Sequence, residues 1–568
     1  MNLPLKVVVQ NKGPVTLNKR DYIAAGGEGT VCRKGAVAYK VYHDQKRTVP
    51  ASKIRELQVL SAIPNVLGPR EILFDAKGNK PVGFTMPYVE DTEFLCRLFS
   101  KGFRSDHGLG PDEMTNLVKR LQQTLQAIHG HGILVVDLNE MNFLVDSKYS
   151  EVLFIDVDSY QTPKHRATAI MESVRDRAAK ANAFTEGTDW YSFAVVAFQM
   201  YTGYHPYRKG RHPDYKPNDW SARMDEGLSV FHPDVSMSPP WSDWSMIPPA
   251  HLEWLRGVLG PSGDRSEPPL PDASTLIAVS RPMVVKGTDT FEVTLVADYG
   301  DPILGVWFFG GRPVALTKNG VYIGTSHVRH WQHNLWGGRV TLLPVGGTYE
   351  PAIVWHEGRE VRMQDIDGVS VQTLGAQAAM HHDGRLYTSL NGVLTETTII
   401  RPNYMMAHKA VGKILQDSSQ LFPGVMVQDV LGTCWLSIPY AEGRCSNTRV
   451  PELDGCRVID AKYERGVFMA AVEREGRYDR VILFMSEDCS TYRVRLDRDV
   501  PEAAVHFAVM SNGICVHQPA DQQIEVFKEP GKVKTVDTPP FNTGNRLISD
   551  GSGIYFLDGG RLYTVSLK

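Results

Sequence analysis

The periodicity of the chain changes once, and that break limits every fold open to it. Before about residue 260 some segments repeat apolar residues at helical spacing, HLEWLRGVLG (251–260) among them, with strand-like runs between. From 290 to 568 helical spacing is scarce, and short alternating runs bounded by Gly, Asp and Asn succeed one another, an all-β signature. Between them PSGDRSEPPLPDAST (261–275) has the proline and small-residue content of a linker. A chain of 568 residues is too long for one core. The expected organisation is a mixed α+β domain over 1–270, a linker over 271–289 and an all-β domain over 290–568.

In the all-β half one unit recurs, a turn ending in Gly and then an apolar, aromatic strand. It stands at 319–324, 383–390, 431–438, 465–472, 512–518 and 552–565. The intervals average roughly the 40–50 residues of a four-stranded propeller blade, so about 280 residues predict a β-propeller of six blades, or seven. Two stacked β-sandwiches are the alternative. The terminal strand RLYTVSLK is placed to pair with the first blade and close the ring.

Within 1–270, VVDLNEMNFLVD (135–146) and LFIDVDSY (153–160) set Asp137, Asn142 five residues on, and Asp156 inside a second apolar run. Phosphoryl transfer from a Mg-nucleotide needs one carboxylate at the attacking hydroxyl, with an amide oxygen and a second carboxylate to hold the metal. Each residue alone is more often a solvated turn residue; their order and spacing carry the signal. Upstream, YIAAGGEGTVCRKGAVAYKVY (22–42) reads as strand, glycine turn, strand, turn, strand. Gly26, Gly27 and Gly29 allow a backbone to approach a ligand where a Cβ would prevent it. Val37, Tyr39 and Val41 alternate with Ala38, Lys40 and Tyr42, placing Lys40 on one face of a strand. SKIRELQVLSAI (52–63) has helical period, with Ile54, Leu57 and Leu60 on a stripe and Glu56 beside it, in reach of a strand lysine.

Over roughly residues 15–270 these segments resemble a eukaryotic-type protein kinase in its divergent bacterial or phage-like form. The resemblance implies a two-lobed α+β fold, N-lobe about 1–87 and C-lobe about 88–270. The family's glycine loop, G-x-G-x-x-G-x-V, is matched by Ala24-x-Gly26-x-x-Gly29-x-Val31, so Gly26, Gly27, Gly29 and Val31 would cover a nucleotide. Lys40 in VAYK matches the lysine that meets the α/β-phosphates, and Glu56 its helix partner. TMPYVE (85–90) resembles the hinge, with Met86 as gatekeeper and the backbone at Pro87, Tyr88 and Val89 against the adenine. Asp137 matches the catalytic aspartate, and Asn142 and Asp156 the metal ligands. TDWYSFAVVAFQMYTGYHPY (188–207) resembles the helix whose buried aspartate, here Asp189, accepts backbone N–H groups of the catalytic loop. Arg265 in GDRSEPP stands where the family clamps a glutamate, and Glu186 is the expected partner. The resemblance also implies ATP and Mg2+ as cofactors and a Ser/Thr-type protein substrate. A propeller usually serves as a rigid docking face, so the all-β domain is expected to dock that substrate or a partner, or instead to sense a ligand and restrain the first domain.

The departures keep two alternatives open. Val135-Val136-Asp137 replaces His-Arg-Asp, removing the arginine that neutralises a phosphorylated loop. Asn139 replaces a lysine that helps hold the γ-phosphate, Asp156-Val157-Asp158 replaces Asp-Phe-Gly, and no Ala-Pro-Glu precedes Asp189. The stretch from 162 to 187 is polar and basic and is expected to be partly helical. One alternative is a pseudokinase scaffold, against which stand the intact Lys40, Asp137, Asn142 and Asp156. The other is a small-molecule kinase resembling the choline or aminoglycoside kinases, for which Ile155-Asp156-Val157-Asp158 speaks.

Charge and composition exclude other classes. A net charge of −3 without a Lys/Arg block gives no footprint for nucleic acid. Seven scattered cysteines, odd in number and without C-x-x-C, fit a reducing cytoplasm rather than disulfides or zinc. The apolar N-terminal stretch is too short for a signal peptide, and the absence of an 18-residue apolar run predicts no membrane span. Trp220, Trp241 and Trp244 in the proline-rich stretch 208–250 are expected to pin that excursion to its own lobe.

Overall fold

A computed structural model of the chain describes residues 3–567 apart from 27, 45–47, 168–169, 181–182, 217–218, 238–241, 243, 262, 272–290, 310, 331–339, 345–350, 358, 365–370, 384, 401–404, 442, 475, 501–502, 504, 521–522, 538–540 and 542–544. Gly27, Trp241 and most of the expected linker lie outside the described residues. The chain divides into two units, Met1–Phe99 with Gly110–Val279, and Ser100–Leu109 with Ser280–Lys568. The segment 100–109, expected within the C-lobe, therefore groups with the β-rich unit. No helix among the described residues is long and apolar enough to cross a membrane.

The first unit opens on a seven-stranded antiparallel sheet. Its strands are β1 (Leu5–Val9), β2 (Gly13–Leu17), β3 (Tyr22–Ala25), β4 (Gly29–Lys34), β5 (Val37–Tyr42), β6 (Glu71–Phe74) and β7 (Pro81–Pro87), in the order β2-β1-β6-β7-β5-β4-β3. The N-terminal apolar run is thus a strand: Val7 and Val9 point inward, while Val8 and Lys6 take the other face. Tyr39 and Val41 join Val7, Val9, Leu17, Tyr22, Cys32 and Leu73 on one side of the sheet. On the other side Tyr42, Phe84 and Ile72 pack on Ile54 of α1 (Ala51–Leu57), which continues as a 3-10 turn over Gln58–Ala62. That second face carries Lys40, because alternation sends it with Ala38 and Tyr42.

Below the sheet, β8 (Thr92–Phe94), β9 (Phe143–Asp146) and β10 (Val152–Phe154) form a small antiparallel sheet beside helices α3 (Pro111–His129), α4 (Glu186–Thr202), α5 (Trp220–Asp225) and α6 (Pro249–Leu259). Pro111 starts α3 where its missing N–H costs nothing, and Glu113 accepts the Gly110 N–H at 2.8 Å. Thr185 and Thr188 cap α4 reciprocally, and Gly203 ends it at φ +82°. Every residue of α4 from Thr188 to Thr202 is buried, so it is the central helix of the lobe. The stretch 162–187 is expected to be partly helical, but its described residues are turns and bends up to the start of α4. Trp220 lies under the Arg208 guanidinium, 4.4 Å from its centroid, and Trp244 donates to the Tyr204 hydroxyl at 3.0 Å, so both pin the excursion inward.

The described residues of the second unit form seven four-stranded antiparallel sheets, at 303–330, 340–375, 378–413, 419–449, 457–497, 507–537, and one joining 546–567 to Phe291–Asp298. In the last, first and final strands pair, Phe291 opposite Leu567. Six repeat units predict six sheets first; the seventh, at 340–375, contains none of those Gly-turn units, which is why their spacing undercounts. Each apolar cluster is shared by two consecutive sheets. Val314 and Leu316 meet Ile353 and Trp355, Val354 and Val361 meet Leu386, and Met380 and Tyr387 meet Leu421 and Met426. Phe422 and Leu436 meet Phe468 and Leu483, and Met469 and Phe484 meet Phe507 and Phe527. Ile524 meets Phe556, and Leu557 and Leu562 return to Ile303 and Val306 of the first sheet. The helix Lys101–His107 (α2) belongs to this unit, with Phe103 and Leu109 buried and the Phe103 and His107 rings stacked at 4.0 Å.

Candidate active site

The loop before β9 is built on Asp189. Its carboxylate, fully buried at the start of α4, accepts the N–H groups of Val135 at 2.8 Å and Val136 at 2.9 Å, and contacts His129 Nε2 at 2.9 Å. Those bonds hold Val136 at φ +65°, a left-handed conformation that costs a β-branched residue on the order of 1–3 kcal/mol. The chain then turns so that Asp137 and Asn142 face each other: Asn142 Nδ2 donates to the Asp137 carbonyl at 2.9 Å and to its Oδ2 at 3.2 Å. Asp137 Oδ1 accepts the Met171 N–H at 2.8 Å. Burial pushes the Asp137 carboxyl above the usual range, and the Met171 N–H works against that rise. Asn139 is turned inward, its Oδ1 accepting the Met141 N–H at 2.8 Å, so it serves the loop rather than the cleft.

The β9–β10 hairpin brings the other acids alongside. Phe143 pairs with Phe154, and the Ile155 N–H donates to the Asn142 carbonyl at 3.0 Å, setting Asp156 beside Asn142. Asp156 is left-handed, φ +56°, and opens a 3-10 turn over Val157–Ser159. Both carboxylates of Asp156-Val157-Asp158 reach Lys40: Nζ donates to Asp156 Oδ1 at 2.7 Å and to both oxygens of Asp158 at 2.8 Å. Burial disfavours the Lys40 charge, but Asp158 and then Asp156 outweigh it and hold the ammonium pKa above its ordinary value. Tyr42 donates its hydroxyl to Asp158 Oδ2 at 2.6 Å, and burial together with that carboxylate keeps the phenol protonated.

Two expected partnerships are corrected. Glu56 does not pair with Lys40; it lies 3.7 Å from Lys164 Nζ, because α1 turns Glu56 toward the 162–165 turn while Asp158 fills the space beside Lys40. Arg265 does not pair with Glu186, which is exposed at the α4 N-terminus; it grips Asp176 in two-point fashion at 2.6 and 2.8 Å and lies over the Tyr191 ring. Asp176 sits in a polar run with no periodicity to mark it. Lys53 is a further member without a prior signal: buried on α1, it donates to the Asp158 carbonyl at 2.7 Å.

The backbone around the β3–β4 turn and the end of β7 is tightly registered. Gly26 N–H donates to the Gly29 carbonyl at 2.9 Å to close the β3–β4 turn, and Val31 stands opposite Lys40. Met86 pairs with Ala38 at the rim of the Lys40 face. The Tyr88 N–H donates to the Ala36 carbonyl at 2.9 Å, the Tyr88 ring lies under the Arg33 guanidinium, and Val89 is half-buried next to it.

The first unit thus joins a curled antiparallel sheet, as in a kinase N-lobe, to a helical lobe, with acids and a lysine gathered beneath the sheet. No family model matches the chain. It is similar to the protein kinase YegI of Escherichia coli strain K12, 26% identical over 230 residues, covering 36% of this chain and 34% of that protein. It is also similar to the protein kinase YegI of Escherichia coli O157:H7, 30% identical over 151 residues, covering 24% of this chain and 23% of that protein. The chain thus spans about a third or less of the length of these relatives. Among solved structures it is similar to the ROP18 kinase domain in complex with AMP-PNP and sucrose, at TM-score 0.32 and 14% identity, covering 48% of this chain and 80% of that one. The Cydia pomonella granulovirus kinase PK-1 is similar at TM-score 0.32 and 14% identity, over 42% of this chain and 86% of that one. The kinase-named relatives support a divergent kinase domain.

Proposed function

We propose that the first unit is an ATP- and Mg2+-dependent phosphotransferase of the protein-kinase type, acting on a Ser/Thr-like hydroxyl. The observation that carries this reading is one connected set: Lys40 paired with Asp156, Asn142 bonded to Asp137, and Ile155 tying the two pairs together. Among the described residues no group of three or more His, Cys, Asp and Glu side chains could hold a metal. Mg2+ needs none, because one or two protein oxygens, water and substrate phosphates complete its octahedron. Asn142 directs its Nδ2 at Asp137, which leaves its amide oxygen and the Asp156 carboxylate as hard ligands that fit that ion. Bound there, Mg2+ supplies neutralisation of charge on the transferring phosphates.

Asp137 orients the hydroxyl and takes its proton as that oxygen bonds the γ-phosphorus and the bridge to the β-phosphate breaks. Burial raises the basicity of this carboxylate, which suits the task. Lys40 meets the α/β-phosphates. Catalysis is then mostly positional and electrostatic. The inward Asn139 favours the scaffold reading, since it puts no cation beside Asp137. The second carboxylate in Ile155-Asp156-Val157-Asp158 favours the small-molecule kinase.

The second unit we read as a seven-bladed propeller that docks a protein substrate or partner. The succession of shared clusters, returning from the last sheet to the first, supports a ring over two stacked sandwiches. Seven unbridged cysteines support a cytoplasmic setting. Full-length protein with γ-labelled ATP and Mg2+, alone and with cell lysate, tests the reading. Asp137→Asn is expected to keep nucleotide binding and to lose roughly 10²–10⁴-fold in transfer, and Asp156→Ala to abolish metal-dependent turnover. Full transfer by Asp137→Asn would remove the role given to that carboxylate.

A further inference from the structure

Lys40 is positioned without Glu56, and other groups take over that work. Asp158, 1% exposed, straddles the Lys40 ammonium with both oxygens at 2.8 Å and is itself fixed by the Tyr42 hydroxyl. Its backbone carbonyl is held by Lys53 Nζ at 2.7 Å, and Lys53 lies three residues before Glu56, on the face of α1 that also buries Ile54 and Leu57. A buried ammonium is costly unless hydrogen-bonded and near opposite charge. Lys53 meets that condition at the turn carrying Asp156 and Asp158. We infer that α1 sets Lys40 through a Lys53–Asp158–Lys40 relay, with Asp158 as the positioning residue and Lys53 as the group that fixes its backbone.

This inference rests on the phosphotransferase reading, and it deepens that site by reversing the polarity of its helix contact. A glutamate on a helix would reach a strand lysine directly. Here the helix supplies the cation, and the anion comes from the segment that also carries Asp156. Any displacement of α1 therefore shifts the 156–158 turn and Lys40 together. The glycine found at position 158 in the resembling motif has no side chain to do this.

The test uses the full chain, titrated with a fluorescent ATP analogue and assayed for ATP KM and kcat. Asp158→Gly and the isosteric Asp158→Asn are expected to weaken nucleotide binding by about tenfold or more, the scale of losing a charge-assisted contact. Lys53→Met should do likewise in the wild-type background and change binding by less than about twofold in the Asp158→Gly background, because the two act in series. Lys53→Arg should restore most of the affinity. Glu56→Gln should fall well short of Asp158→Asn. Asp158→Gly binding as tightly as wild type, an additive double variant, or Glu56→Gln matching Asp158→Asn overturns the relay. Wild type that binds the analogue but transfers no phosphate overturns the parent reading instead, and the binding series still decides the relay. Thermal unfolding of each variant separates loss of folding from loss of positioning.

Discussion

At the scale of single residues the tightest constraint is Gly83, which has no charge and no ligand. A Cβ built on it would stand 1.9 Å from the Lys40 carbonyl oxygen and 3.1 Å from the Val41 Cα, all backbone atoms that cannot swing aside. Gly83 is in register with Val41 on one side and Leu73 on the other, so β7 cannot retreat without loosening two ladders. Gly83→Ala is therefore expected to cost about 1–3 kcal/mol, in the range of overpacking a core, and to weaken nucleotide binding by displacing Lys40. Urea unfolding and ATP titration check both; a Gly83→Ala protein as stable as wild type and binding as well would show that the strands part freely. The lysine thus depends on a residue 43 positions away that makes no side-chain contact at all.

At the scale of elements, the sequence reveals what repeats and hides what merely turns. Lys40, Asp137, Asn142 and Asp156 are legible because alternation and spacing fix which face each occupies. Glu56 is misread because a helical stripe locates the buried face but not how a flanking side chain is aimed, and Asp158 takes its place through a one-residue left-handed turn at Asp156. Lys53 gives no signal, since a lysine next to an apolar stripe is ordinarily solvated. Two buried histidines, His205 just past the end of α4 and His251 on α6, show the same dependence on context. His205 Nε2 donates to the Ser173 carbonyl at 2.8 Å while its Nδ1 accepts the Tyr207 N–H, and His251 Nε2 donates to the Pro269 carbonyl at 2.8 Å while Nδ1 accepts from the Tyr201 hydroxyl. A second proton on either ring breaks a bond, and burial pushes their pKa values down to about 3 and about 4. The unfolded chain binds those protons near pH 6.5 and the folded one does not, so stability is full above that pH and falls as pH drops toward 4. The expected slope is up to roughly 3 kcal/mol per pH unit from the two together. Hydrogen exchange of α4 and α6 amides at pH 7, 6 and 5 reads it, and His205→Asn with His251→Asn should flatten it. Equal slopes in wild type and the double variant would assign the loss to other groups.

At the scale of the whole molecule, the two units are not separable by one cut in the linker. The chain leaves the first unit after Phe99, contributes Ser100–Leu109 to the second, and returns at Gly110. A fragment ending at 279 keeps α2 but lacks the sheets that belong to the same unit, one strand of which, Ile303–Phe309, contacts α2, so the buried Phe103 and Leu109 are expected to become exposed in it. Exposed apolar surface of that kind drives association. The fragment 1–279 is expected to self-associate and to bind a hydrophobic dye, and Phe103→Ser with Leu109→Ser to return it to a monomer, as read by light scattering on a sizing column. A monomeric, dye-silent 1–279 would show that α2 needs nothing from the second unit. The repaired fragment is the one that can distinguish docking from restraint. If it still phosphorylates a generic substrate but not the target found in lysate, the sheets recruit; if its basal transfer rises, they hold the first unit back. An unrepaired truncation would lose activity through aggregation under either mechanism, and that loss would carry no information about the sheets.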